Sequence, residues 1–135
     1  MNQLSPVQTE LNEEQCARVR KIRSELPGQM LRERIETARL CYGPLYSLNE
    51  VRQKVAETLP RRVGYMRSAA LEPIETYQDP IPDDALLKYD DAKSSGLFSK
   101  FWVASPRYYE SKQTDPWIIA EVQGTELYAV VAQWD

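Results

Sequence analysis

The sequence predicts an α+β protein in which an N-terminal three-helix segment is followed by a helix and a three-stranded antiparallel β-meander. Three observations lead to this prediction. Apolar residues recur at helical spacing through the first 59 residues, which is typical of amphipathic helices. Towards the C-terminus, short runs rich in Trp, Tyr, Val and Ile lie between turn signals, as in antiparallel strands. The last two runs meet at Gly124 and predict a β-hairpin.

Length and composition predict one compact domain with two dissimilar halves. The 135 residues are 42% hydrophobic and 27% charged, which is ordinary for globular proteins. The helical segment at 1–72 carries 12 Lys or Arg and 9 Asp or Glu, whereas 73–135, with its helix and meander, carries 5 and 11. A mildly basic front half can attract the acidic back half, or it can face a nucleic acid.

The first helix is predicted from its cap and its stop. Thr9 or Asn12 caps it, and Pro27-Gly28 ends it. Val19 belongs to its apolar side, and Arg20 is expected to lie away from that side.

The second and third helices follow from apolar stripes and breakers. The second spans about 29–40 and ends before Gly43-Pro44. The third begins with the capping-box pattern at 47–50 and stops before Pro60.

Residues 61–82 give the weakest pattern. A short helix is predicted at 63–71, and the prolines that follow make the remainder an extended connection. A fourth helix then runs from Asp83 to Gly96, and a strand follows at about 100–104. That strand bends at Pro106 and continues through Tyr108 and Tyr109 toward Lys112.

Electrostatics chooses the register of the closing hairpin. A Gln123-Gly124 loop would place Glu121 opposite Glu126, a repulsive like-charge pair. A Gly124-Thr125 loop avoids this pair and puts glycine at the first central position of a type II′ turn. The predicted pairs are Val122 with Leu127, Ala120 with Ala129 and Ile118 with Val131.

Both faces of this hairpin are then apolar. One is aliphatic, and the other carries Trp117, Ile119, Glu121, Tyr128, Val130, Ala132 and Trp134. A hairpin with one side in water should alternate apolar and polar residues, and this one does not. Each face must therefore be covered, the aliphatic one by the fourth helix and the other by the N-terminal half or by another molecule.

Catalysis is disfavoured by what the composition lacks. The chain has no histidine, which removes the usual general base and the commonest zinc ligand. Cys16 and Cys41 are too few for a metal knuckle or a disulfide framework, and the glycines form no phosphate-binding loop. The acidic residues of the fourth helix, Asp83, Asp84, Asp90 and Asp91, are expected on a solvated face. We therefore expect no enzyme, no cofactor and no metal site.

The preferred functional hypothesis is a protein-interaction or accessory protein that binds through the aromatic face of its sheet. Trp and Tyr dominate binding hot spots and are concentrated in the last third of the chain. The candidate binding residues are Trp117, Tyr128, Trp134, Tyr108 and Tyr109. The expected partner is another protein or a second copy of this chain.

A DNA-binding regulator is the alternative. The front helices would form a helix-turn-helix-like unit, with Arg52, Lys54, Arg61 and Arg62 touching phosphates or bases. The connection at 41–46 is longer than the usual turn of that motif, and the positive excess is small.

No apolar run approaches the roughly 20 residues that span a bilayer, and the N-terminus lacks a signal-peptide pattern. A cytoplasmic protein without a membrane partner is expected.

Overall fold

A computed structural model describes residues 12–25, 30–60, 67–108 and 115–135, with only the backbone described for 22–25 and Tyr108. The helices are α1 (Glu13–Glu25), α2 (Leu31–Tyr42), α3 (Leu48–Glu57) and α4 (Asp83–Ser94). The strands are β1 (Arg67–Pro73), β2 (Phe98–Tyr108), β3 (Trp117–Val122) and β4 (Tyr128–Gln133). These strands form one antiparallel sheet in the order β1-β2-β3-β4, so the α+β class is confirmed.

Local signals set the starts of two helices. The backbone N–H of Gln15 donates to Asn12 Oδ1 at 2.8 Å, which makes Asn12 the cap of α1. The capping box of α3 is confirmed: Glu50 N–H donates to Ser47 Oγ at 3.2 Å, and Ser47 N–H donates to Glu50 Oε1 at 2.9 Å. Thr9 and the predicted stop at 27–28 lie outside the described residues.

The predicted short helix at 63–71 is wrong over 67–71, because these residues belong to β1. Ala70 lies opposite Ser105 and Pro73 opposite Trp102, so β1 extends the meander to four strands. The Ala-Ala-Leu-Glu stretch suits a helix by propensity, but pairing with β2 overrides it. Pro73 fits the end of an edge strand, where its missing N–H leaves no ladder bond unmade. The predicted chain division after Glu72 falls within β1 and stays a prediction.

The hairpin has the predicted register near its loop and a different turn. Ala120 pairs with Ala129, and Val122 N–H donates to Leu127 O at 2.8 Å. The predicted type II′ turn is replaced by a turn in which Thr125 N–H donates to Val122 O at 3.0 Å. Gly124 occupies the third position of this turn with φ +80°, where a side chain would be strained.

A β-bulge between Ile118 and Ile119 corrects the remaining prediction. Ile118 lies opposite Ala132 instead of Val131, because β4 contributes one extra residue to the pairing. As a result Val131, Ala132 and Trp134 all pack on the face that Ile118 occupies. The predicted aromatic face is thereby divided between the two sides of the sheet.

Helices cover both faces of the sheet, as the apolar pattern of the hairpin requires. The α4-side core joins Ala85 and Ala92 of α4 to Ile118, Ala120, Val131 and other sheet residues. The α3-side core joins Val51 and Val55 of α3 to Ala104, Ile119 and Tyr128. Helix α2 contacts β3 and β4, and α1 packs on α2.

Candidate ligand cleft between helices α1 and α4

The aromatic residues predicted to bind a partner do not share one surface. Trp117 is half-buried beside the α3-side core. Trp134 packs on the opposite face, where its ring lies edge-on to Tyr77 with the centroids 6.4 Å apart. The side chain of Tyr108 and the whole of Tyr109 lie outside the described residues.

Tyr128 is buried and already has a partner within the chain. Its hydroxyl donates to Glu121 Oε1 at 3.1 Å. Burial and this hydrogen bond raise the pKa of Tyr128 to about 12, so the phenol stays protonated at neutral pH. Lys100 Nζ lies 3.9 Å from the same carboxylate, which places a positive charge beside the buried Glu121. The Tyr128 hydroxyl and the Lys100 ammonium group together explain how Glu121 is accommodated within an apolar strand.

The DNA-reading hypothesis stays a prediction. Arg52 and Lys54 are exposed on α3, and Lys54 Nζ lies 5.1 Å from the centroid of the Tyr46 ring. Arg61 and Arg62 lie outside the described residues. Helix α3 packs on β1 and β2, whereas the second helix of a helix-turn-helix unit packs on another helix.

The acidic residues of α4 lie on an exposed face, as predicted: Asp83, Asp84, Asp90 and Asp91. Of these four residues, Asp91 forms an ion pair within the described part of the chain, with Arg20 of α1. The contact joins two helices that lie on either side of a surface cleft.

This cleft has a volume of about 620 Å³ and lies between α1 and α4, with α2 and β4 beneath it. Its floor is formed by the residues with little or partial exposure: Cys16, Arg20, Cys41, Tyr42, Val130 and Val131. Its rim is formed by the exposed residues Glu13, Glu14, Asp84, Leu87, Lys88 and Asp91. A cavity of this size is within the range of small-ligand sites.

Arg20 is the unusual residue of the floor. Only 4% of its surface is exposed, although an arginine is almost never fully buried unless paired. Its Nη2 contacts Asp91 Oδ2, and its guanidinium carbon lies 5.1 Å from the centroid of the Tyr42 ring. Its Nε–H is buried and has no hydrogen-bond partner among the described residues. Such an unmet donor costs about 1–3 kcal/mol.

Tyr42 supplies a second unmet group on the floor. Its hydroxyl is buried and likewise finds no acceptor or donor within the described ranges. Burial raises the pKa of Tyr42 to about 12, although the nearby Arg20 acts in the opposite direction. The hydroxyl therefore keeps its proton at neutral pH and can donate a hydrogen bond.

The two cysteines of the floor contribute apolar surface. Cys41 Sγ lies 3.9 Å from Cys16 O, and no disulfide joins them. Burial, followed by its interaction with Cys16, raises the pKa of Cys41 to about 12. A thiol in this state is a poor nucleophile and a poor metal ligand. Among the described residues, no three His, Cys, Asp or Glu side chains cluster as metal ligands would.

Negative charge dominates the rim. The cleft is lined by four carboxylates and two cations, Arg20 and Lys88. Asp91 already neutralises Arg20, so the remaining carboxylates set the potential at the entrance.

Sequence reasoning missed the site because it placed Arg20 away from the apolar side of α1, and so away from the protein interior. That prediction is wrong: α1 turns the Arg20 side chain inward, where it meets Tyr42 and Asp91. The only local hint was the i, i+4 spacing of Cys16 and Arg20, which puts them on one helix face. A helix pattern alone does not show that an arginine lies in an apolar stripe.

Comparison with protein-family models, curated proteins and solved structures finds no match. Any argument about function therefore depends on the structure itself, which has an α+β fold and a cleft with acidic residues at its rim. Every helix within the described ranges is too short or too polar to span a bilayer.

Proposed function

We propose that this chain is a binding protein rather than an enzyme, and that its ligand occupies the cleft between α1 and α4. The observation that carries the proposal is the cleft itself, a concavity of about 620 Å³ whose floor holds the nearly buried Arg20. The binding role is the one that the sequence suggested, but the proposed site is the cleft and no longer the aromatic face of the sheet.

The division of the aromatic residues supports this change of site. Trp117 and Trp134 lie on opposite sides of the sheet, and Tyr128 is buried. A single docking surface cannot include all three. The cleft, by contrast, combines a concave shape with apolar residues and a few polar ones on its floor, the usual features of a ligand site.

The test is a binding screen on the whole chain followed by amide NMR. The probes are small amines, carboxylates, phosphates and neutral amides, each at millimolar concentration. We expect at least one class to shift the amide signals of Arg20, Tyr42 and Leu87 while those of the exposed face of α3 stay unchanged.

Leu87 and Leu86 provide a matched pair of variants for this screen. Leu87 is 70% exposed and lines the cleft, whereas Leu86 is 37% exposed and is not part of the lining. Leu87→Trp adds bulk at the cleft entrance and should weaken binding, and Leu86→Trp should leave it intact. The proposal fails if no probe shifts the cleft signals, or if both variants bind equally well.

A further inference from the structure

We infer that α1 is a lid, a helix that detaches from α2 and α4 as one unit while the sheet and the other helices stay folded. This inference goes beyond the proposed function, because it holds with or without a ligand in the cleft. Helix α1 forms one wall of the cleft, so its release opens the whole site to water. Four features of the docked helix support the inference.

The first feature is the small apolar surface that α1 buries. Of its side chains at 13–21, only Cys16 and Arg20 are buried, and Ala17 and Val19 are half-buried. Hydrophobic burial stabilises a docked helix in proportion to the apolar area that it removes from water. A helix of 13 residues is marginally stable in isolation, so α1 depends on its docking to stay folded.

The second feature is that the two cores do not include α1. Among the described residues, neither the α4-side core nor the α3-side core contains a residue of this helix. Helix α2 stays attached without α1, because it contacts β3 and β4. The Tyr42 ring of α2 also packs edge-on against Phe98, with the centroids 5.2 Å apart. Loss of α1 therefore leaves both cores closed.

The third feature is the presence of two unmet polar groups where α1 meets α2. Arg20 Nε–H and the Tyr42 hydroxyl are buried and lack hydrogen-bond partners in the described part of the chain. The guanidinium carbon of Arg20 lies 5.1 Å from the centroid of the Tyr42 ring, so the two groups belong to one contact. A buried polar group without a partner loses free energy that it regains in water. Docking of α1 carries this cost, and release of α1 removes it.

The fourth feature is the ion pair that holds α1 to α4. Arg20 Nη2 contacts Asp91 Oδ2, and the Asp91 side chain is 47% exposed. Salt weakens an ion pair with a half-exposed member, because it screens charges that water reaches. The docked position of α1 therefore depends on ionic strength.

Amide hydrogen exchange of the whole chain, followed by NMR, tests whether α1 opens alone. The compared amides are those of Arg20 in α1, Val55 in α3 and Ala120 in β3. We expect the Arg20 amide to exchange at least about a hundredfold faster than the other two, relative to the intrinsic rate of each. Its rate should depend little on urea, since local opening exposes little surface. Equal protection with equal urea dependence would overturn the inference, because α1 would then open only in global unfolding.

Val55→Ala separates local opening from global unfolding. Val55 is buried in the α3-side core, which stays folded when α1 detaches. The substitution should therefore accelerate exchange in α3 and β3 at least about tenfold and leave exchange in α1 unchanged. Acceleration of α1 by the same factor as β3 would reject the lid.

Asp91→Asn tests the ion pair that holds the lid. Its loss should accelerate exchange of the Arg20 amide about tenfold, the difference of one good interaction. Alkylation of Cys41 should accelerate by a similar factor, because its sulfur lies 3.9 Å from Cys16 O of α1. Asp90→Asn, which changes a neighbouring exposed carboxylate, should alter neither rate.

Sodium chloride provides the same test on the unchanged chain. Molar salt should accelerate exchange of the Arg20 amide and leave that of Val55 unchanged, because salt acts on the ion pair and not on the α3-side core. If Asp91→Asn and Asp90→Asn give equal rates, or if salt does not affect the Arg20 amide, the inference fails. None of these measurements uses a ligand, so their outcome is separate from that of the binding screen.

Discussion

Arg20 and Asp91 form an ion pair although they lie 71 residues apart in the chain. The side chain of Arg20 is 5% exposed and that of Asp91 is 47% exposed, so the pair joins a buried cation to a carboxylate at the surface. It links α1 to α4 across the cleft. Arg20 belongs to the mildly basic front half of the chain and Asp91 to the acidic back half. The charge distribution had suggested that these two halves attract one another.

Removing the carboxylate of this pair should destabilise the protein. Asp91→Asn leaves the buried Arg20 without a charged partner, and we expect the free energy of unfolding to fall by about 1–3 kcal/mol. Urea denaturation measures the change. The neighbouring Asp90→Asn is the control, because Asp90 is exposed and should stay within about 0.5 kcal/mol of the parent. Equal effects of the two substitutions would show that the ion pair contributes nothing.

The capping box of α3 should contribute measurably to stability. Ser47→Ala removes the Oγ acceptor that Glu50 N–H uses, and we expect a loss of about 1 kcal/mol. Gln53→Ala, an exposed change in the middle of α3, is the matched control and should not destabilise. Thermal and urea unfolding of both variants provide the measurement. If Ser47→Ala leaves the free energy of unfolding unchanged, water satisfies the Glu50 N–H as well as the Ser47 hydroxyl does, and the prediction is wrong.

The second hydrogen bond of the capping box, from Ser47 N–H to the Glu50 carboxylate, should make the free energy of unfolding depend on pH. The hydrogen bond from Ser47 N–H to the Glu50 carboxylate lowers the pKa of Glu50 below its ordinary value of 4.5. A carboxyl group with a lowered folded pKa stabilises the protein fully above the unfolded pKa, and that contribution is lost as the pH falls through the folded pKa.

Glu50→Gln should therefore be less stable than the parent at pH 7, and the difference should shrink as the pH falls below the ordinary pKa of 4.5. Urea denaturation across this range measures it. Glu57→Gln, on the exposed side of the same helix, serves as the reference. A difference between Glu50→Gln and the parent that stays constant with pH would contradict the assignment.

Cys41 should react slowly with thiol reagents. Its pKa of about 12 leaves little thiolate at pH 8, and we expect alkylation on the order of a hundredfold slower than at an exposed cysteine. Ser94→Cys places the reference thiol at an exposed position of α4. Peptide mass spectrometry follows both sites in one sample. Alkylation of Cys41 should still accelerate as the pH rises from 8 to 10, and rates equal to those of the reference would refute the prediction.

Several elements of the fold could be predicted because their causes are local. The capping box at Ser47–Glu50 and the Asn12 cap are hydrogen bonds between residues three apart. The register next to the hairpin loop follows from the unfavourable pairing of Glu121 with Glu126 in the alternative. These relations lie within a few residues and are therefore readable from the order of the amino acids.

The bulge and strand β1 could not be predicted in this way. β1 forms because β2 offers it a hydrogen-bonding edge, and its own residues favour a helix. The bulge at Ile118 places Val131 and Ala132 together in the α4-side core, beside Ala85 and Ala92 of that helix. Both depend on partners distant in the chain.

The amino-acid order by itself determined the helices at their caps, the apolar character of both faces of the hairpin, and the absence of histidine chemistry. Only the tertiary structure decided that Arg20 is buried, that Tyr42 adjoins it, and that a cleft separates α1 from α4. The physical reason is that periodicity and capping act within one or two helical turns, whereas burial of a charge depends on which distant side chains exclude water around it.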